Sequence, residues 1–212
     1  MFDIAINNGN LIDPELKTSF KGSLGIKDGR VAEITRGELV GEKTINAAGL
    51  IVCPGFIDVH GHIDGDDYCG ELSLRQGVTT TVGGNCGLSP IDMKAFFENQ
   101  DKKGFVINQA ELVGHSFSLR KAVGITDVYS AASSEQISKM QYLTERALEE
   151  GACGVSLGLD YAPYSSSEEI LALSKIAAKY NRPIPIHTRV FAEDDLTSLK
   201  ADLMPNKTLS LF

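Results

Sequence analysis

The sequence predicts an α/β fold, in which a parallel sheet of βα units follows a small all-β segment. Three observations lead there. From Gly55 onward, short apolar runs bounded by Gly, Pro or Ser recur along the chain. Longer amphipathic segments alternate with them, which is the signature of βα units. Before Gly55 the pattern is one of short strands joined by tight turns. The chain of 212 residues can bury one sizeable core or form two small domains. The change of pattern divides it into an N-terminal β segment, residues 1–54, and a βα segment, residues 55–212.

Taken in order, "FDIAINNGNLID", "GSLGIKDGRVAEI" and "KTINAAGLIVCPG" form the first segment. Asn8-Gly9 and Asp28-Gly29 stand at hairpin positions, so a small antiparallel unit is expected. Five strands follow: "GFIDVH", "TTTVGGN", "FVINQAELVG", "ACGVSLGLD" and "PIPIHT". The clearest helix is "SEQISKMQYLTERALEEG". It has Ile137, Met140, Leu143, Ala147 and Leu148 at helical spacing, a cap at Ser133-Ser134 and a stop at Gly151. "SSSEEILALSKIAAKYNRP" repeats the logic, with Ser165 or Ser166 as cap and acidic residues in the first turn. Its Ile170, Leu173, Ile176 and Ala177 point inward, and Pro183 lies beyond its end.

Composition narrows the partners. The net charge is -8, the pI is near 5.0, and basic residues never cluster beyond pairs such as Lys102-Lys103. No footprint for nucleic acid or an anionic membrane surface is present, and a small polar or charged solute is expected instead. Four widely spaced cysteines without a CxxC, and an opening "MFDIAINNGN" with neither a basic nor an apolar leader, fit a reducing, cytoplasmic setting. No apolar run approaches the roughly 18 residues of a membrane-spanning helix.

The residues able to carry chemistry gather at strand ends, where parallel α/β folds place their sites. His60 and His62 lie two apart. If the strand continues through them, both point to one face and both can reach one ion. Cys86 sits in the Gly-flanked loop after the second strand, and His187 ends the fifth. Imidazole and thiolate are favoured zinc ligands. Cys53, Cys69 and Cys153 read as small core residues. His115, after the third strand, reads as a further ligand or, preferably, a hydrogen-bonding group for substrate. Asp64, Asp66 and Asp67 read as a solvated or loop-capping cluster rather than a catalytic one.

In that order, "PGFIDVHGHID", "GVTTTVGGNCGLSP", "LVGHSFSLR", "GACGVSLGLDYAPYSSSEEILALSKIAAKY" and "IHTR" resemble the amidohydrolase superfamily. The cysteine of "GNCG" narrows the resemblance to the N-acyl-D-amino-acid deacylases, or D-aminoacylases. The resemblance runs from the N-terminal strands to about Arg189. It implies an incomplete (β/α)8 TIM-type barrel, about five of its eight units lying in this sequence, with a small β-sandwich segment. It also implies one or two zinc ions held by His60, His62, Cys86 and His187, and hydrolysis of the linear amide of an N-acyl-D-amino acid by metal-activated water. His115, Arg120 and Tyr161 are placed to line the substrate pocket.

The sixth-strand histidine, the general-base aspartate and the carboxylate-gripping arginine that the resemblance calls for would lie beyond this sequence. After roughly Leu199 the pattern is lost, and Pro205 interrupts any helix. A truncated or frameshifted product is the favoured expectation. A fragment completed by a separate chain, or a homo-oligomer that closes the barrel, are the others. Two functional alternatives stay open: another amidohydrolase, dihydroorotase-like or isoaspartyl-dipeptidase-like, and a non-catalytic zinc-binding remnant.

Overall fold

The computed structural model describes residues 1–189, so Leu199 and Pro205 lie outside the described residues. The chain forms two compact units, Met1–Gly55 and the part from Phe56 onward. The first is one sheet of β1 (Phe2–Asp13), β2 (Thr18–Lys27), β3 (Arg30–Thr35), β4 (Gly41–Asn46) and β5 (Ile51–Val52). β1 pairs antiparallel with β2 but parallel with β4 and β5, so the sheet is mixed where an antiparallel unit was expected. Asp28 and Gly29 do form the β2–β3 hairpin, with φ of 51° and 70° as a two-residue type I′ turn requires. Asn8-Gly9 does not turn the chain. Asn8 has φ of 65° inside β1, and the register against β2 shifts between Ile6 and Gly9, so the dipeptide makes a bulge. A side chain at Gly9 would come within 2.6 Å of Val52 Cγ2, which explains the glycine.

The second unit comprises β6 (Phe56–Asp58), α1 (Asp67–Arg75), β7 (Val78–Gly83), α2 (Met93–Lys103), β8 (Asn108–Gly114), α3 (Arg120–Ala122), α4 (Ser134–Glu149), β9 (Gly154–Gly158), α5 (Ser167–Lys179) and β10 (Ile186–His187). The five strands among its described residues are all parallel, and their order in the sheet is their order in the chain. A doubly wound sheet reverses its order at a switch point, whereas a barrel does not. This unit is therefore an arc of a (β/α)8 barrel.

The core lies between β8–β9 and α4–α5. Ile137, Met140, Ala147 and Leu148 of α4, and Ile170, Leu173, Ile176 and Ala177 of α5, are buried against Val113, Val155 and Leu157. Each large aliphatic side chain buried here contributes about 1.5–3 kcal/mol. Leu143, expected inward, is half-buried at the edge of this cluster. Ser133 caps α4 in a reciprocal capping box with Gln136, and Ser166 rather than Ser165 caps α5 by accepting from Glu169 N at 3.1 Å.

Helices α1 and α2 were not expected from apolar periodicity, because both are short, 9 and 11 residues, and span few turns. Their caps were readable: Asp66 accepts from Cys69 N at 2.8 Å and Asp92 from Ala95 N at 2.9 Å. Asp66 is thus a capping residue, and Asp67, in the first turn, pairs with Lys103 at 2.7 Å. Cys53 is exposed rather than core, and Cys69 and Cys153 are half-buried. Among the described residues no helix is long and apolar enough to cross a membrane.

Candidate metal centre

Strand β6 stops at Asp58, before either histidine, because Asp58 Oδ1 accepts the His60 N–H at 3.0 Å and bends the chain. His60 and His62 are therefore not pleat neighbours on a continuing strand, as their spacing predicted. Gly61 N–H returns to the sheet at Val82 O, 3.0 Å away. The two rings meet edge to face, 5.3 Å between centroids. They converge through a turn rather than through strand alternation.

Cys86 follows β7 in the turn Asn85–Gly87, where Gly84, Cys86 and Gly87 have φ of 75°, 56° and 84°. A left-handed conformation costs a non-glycine residue about 1–2 kcal/mol, so the surroundings must impose it on Cys86. They do so through side chains. Asn85 Nδ2 donates to Val82 O at 2.9 Å, Gly87 N donates to Ser156 Oγ at 3.0 Å, and Ser156 Oγ donates in turn to Gly84 O. Gly84 N donates to Asp64 Oδ1 at 2.8 Å. Neighbouring glycines leave the turn its room: a Cβ at Gly158 would lie 2.0 Å from Cys86 O, and one at Gly114 would lie 2.4 Å from the Gly87 carbonyl carbon.

The outcome is a convergence of soft and borderline donors. Donor atoms of His60, His62 and Cys86 lie within 4.8 Å of one another. Cys86 Sγ is 3.4 Å from His60 Nε2 and 3.3 Å from His187 Nδ1. Donors on one tetrahedral zinc sit about 3.3–3.6 Å apart, given bonds of about 2.0–2.3 Å, so these separations fit a common ion. Burial pushes the Cys86 thiol up, and a bound divalent cation would reverse that by favouring the thiolate. β10 brings His187 into register with Gly158 of β9. Tyr161 packs its ring on His187, with centroids 4.8 Å apart, and on Phe117 at 5.0 Å. Of the three residues expected to line a substrate pocket, Tyr161 is beside the centre.

The other two are not. His115 and Arg120 are 0% and 1% exposed and are committed to Glu169 of α5, itself fully buried. Arg120 Nη1 donates to both Glu169 oxygens at 2.6 and 2.9 Å, and His115 Nε2 meets Oε1 at 2.8 Å. An ionised carboxylate only accepts, so Nε2 carries the proton and Nδ1 is left to accept from Ser116 Oγ, 3.1 Å away. Ser116 Oγ then accepts the Gly158 N–H at 2.9 Å. Burial raises Glu169, but the hydrogen bond from His115 and the charge and hydrogen bonds of the Arg120 guanidinium outweigh it and hold the carboxyl below its ordinary range. This network braces the end of β9 and holds His115 and Arg120, both expected to line a substrate pocket, buried against Glu169.

Sequence reasoning passed over Glu169, Ser156, Asp64 and Glu111 as parts of the site's support. A lone acid in the apolar run "AELVG" was the available signal for Glu111. Glu169 looked like any acidic residue in a helix's first turn. Val82, Ala110, Leu112, Ile184 and Ile186 line an open groove of about 760 Å³ that also reaches His60.

Residues 43–119 match the amidohydrolase family. A D-aminoacylase of Alcaligenes xylosoxydans xylosoxydans is 32% identical over 90% of this chain and 44% of its own length. Among solved structures, a D-aminoacylase described for its binuclear metal centre superposes with a TM-score of 0.88 at 27% identity, over 99% of this chain and 50% of its own. The N-acyl-D-glutamate deacylase of Bordetella bronchiseptica, complexed with zinc and a phosphonate mimic of the tetrahedral intermediate, gives 0.86 at 32% identity over the same shares. The chain spans about half the length of the relatives it matches.

Proposed function

We propose that this chain, which belongs to the amidohydrolase superfamily and matches about half the length of its N-acyl-D-amino-acid deacylases, provides part of a zinc centre that hydrolyses the amide of an N-acyl-D-amino acid. The observation that carries this reading is Cys86 Sγ standing 3.4 Å from His60 Nε2 and 3.3 Å from His187 Nδ1. His60, His62, Cys86 and His187 would hold the metal. When bound, such an ion lowers the pKa of a water toward about 7 and polarises a carbonyl.

The chain's own residues do the rest. Cys86 is held in its strained conformation by the Asn85 and Ser156 hydrogen bonds, so its sulfur is aimed before any ion arrives. Tyr161, about two-fifths exposed and against His187, stands where an acyl group could pack. His60 and His62 are exposed toward solvent, which leaves a route for substrate. The 212-residue sequence contains no histidine after His187, and the resemblance calls for a sixth-strand ligand and a proton-shuttling carboxylate in addition to these four donors. The exposed apolar groove over Val82, Ala110 and Leu112 is the face that the remaining strands of a barrel would cover.

Metal analysis of the purified chain tests the reading. Zinc should bind in stoichiometric amount, and Cys86→Ala should remove most of it while leaving the circular dichroism spectrum intact. Unchanged zinc in Cys86→Ala would return that cysteine to a packing role. Stoichiometric zinc with no turnover of N-acetyl-D-amino acids would restrict this chain to a metal-binding half.

A further inference from the structure

One fully buried acid is not among the donors of that centre. Glu111, on β8, is 0% exposed and stands in register with Gly83 of β7. The missing side chain of Gly83 creates a recess. A Cβ there would lie 2.4 Å from Glu111 Oε2 and 2.6 Å from Asp64 Oδ1, so two carboxyl groups share that space and hydrogen-bond to each other. Among the described residues, the groups acting on Glu111 are Asp64 and the Gln109 amide, whose Nε2 is 3.4 Å from Oε2, with no Lys or Arg among them.

Two ionised carboxylates in contact without a cation are not a stable arrangement, and one proton between them resolves it. Asp64 Oδ1 already accepts from Gly84 N at 2.8 Å, so Asp64 is engaged as an acceptor on the Cys86 side. The remaining oxygen, Glu111 Oε1, has no partner among the described residues. Such an orphan is far less costly on a neutral acid than on a carboxylate. Burial first, and then the Asp64 carboxylate, push Glu111 up to about 9, in keeping with this geometry.

We propose that Glu111 is a positioning residue for the metal centre: as a neutral acid it donates to Asp64 and so clamps the His60–His62 loop to the Cys86 turn. Asp64 is two residues from His62 and has φ of 42°, a left-handed conformation that needs support. Its carboxylate reaches Gly84, two residues before Cys86. One side chain therefore ties together the two loops that carry three donors. Half-buried and with one backbone donor, that carboxylate is under-satisfied until Glu111 supplies a second hydrogen bond. The inference rests on His60, His62 and Cys86 being metal ligands. A cation lodged between the two acids is the competing arrangement, and it would require Glu111 to be ionised.

Glu111→Gln and Glu111→Ala in the full chain separate these readings, because a glutamine amide can donate to Asp64 but cannot balance a cation. Zinc affinity is measured by competition with a chromophoric chelator, and hydrogen exchange over residues 83–88 is followed in metal-free protein. Glu111→Ala should lose about 10- to 100-fold in zinc affinity, as outer supports of metal ligands do, and should exchange faster over that segment. Glu111→Gln should keep wild-type zinc affinity and should exchange no faster than wild type. Wild-type behaviour of Glu111→Ala in both measurements would overturn the proposal, as would a Glu111→Gln variant that fails as badly as alanine. Should the alanine variant not fold, the glutamine variant decides alone, retention supporting the clamp and loss overturning it. If the wild-type chain binds no zinc, the metal reading fails by itself, and the exchange data still decide the clamp.

Discussion

Replacing Glu111 with Gln should make the chain more stable than wild type at neutral pH, by a margin that grows with pH. Glu111 is fully buried and its carboxyl is pushed from an ordinary 4.5 up to about 9. A group whose folded pKa is raised contributes its full stability below the unfolded value and loses it as pH rises toward the folded one. Between about 4.5 and 9 the unfolded chain releases this proton while the folded chain retains it, so stability falls by about 1.4 kcal/mol per pH unit. At pH 7 the cumulative loss is about 3 kcal/mol. Glutamine keeps the hydrogen-bond donor and has no proton to release. Its advantage should therefore be near zero at pH 4.5 and about 3 kcal/mol at pH 7. Urea unfolding of both proteins with a chelator present, from pH 4.5 to 8, measures the difference, in which the other carboxylates cancel. A difference that stays flat with pH would refute a neutral Glu111. So would a glutamine variant uniformly less stable than wild type.

Two further outcomes follow from the supports of the centre. Glu169→Ala should destabilise the chain by about 3–5 kcal/mol in urea unfolding, because it strands the buried Arg120 charge. Since Glu169 is held below its ordinary value, its contribution is present above the unfolded pKa and disappears as pH falls through the folded one. The variant should accordingly lack part of the wild type's acid sensitivity. Gly158→Ala places a Cβ 2.0 Å from Cys86 O and should displace the cysteine turn. The expected readout is a marked drop in zinc content by metal analysis, with α4 and α5 retained in the circular dichroism spectrum.

The supports differ in how far the sequence exposes them. The helices α4 and α5 were legible because apolar residues recur on one face and serines stand at their starts, both local features of the chain. Helices α1 and α2 were not, since they are only 9 and 11 residues long, too short to repeat a pattern clearly, and an aspartate cap marks each beginning. Asp28-Gly29 and Asn8-Gly9 carry similar local turn signals, yet one makes a hairpin and the other a bulge. What separates them is the pairing of β1 on both edges, which carries that strand straight through Asn8.

By itself the sequence determined the βα alternation, the two main amphipathic helices and the ordered appearance of His60, His62, Cys86 and His187 at strand ends. These depend on periodicity and on residue type, which are properties of the chain read locally. Only the tertiary structure decided how the donors meet: through the Asp58 turn rather than a continuing strand, and through a left-handed Cys86 that Ser156 and Asn85 hold in place. It also withdrew His115 and Arg120 into a buried network with Glu169 and set Glu111 against Asp64. These partners are 49 and 54 residues apart in one case and 47 in the other, so their chemistry exists only once the sheet has brought them together.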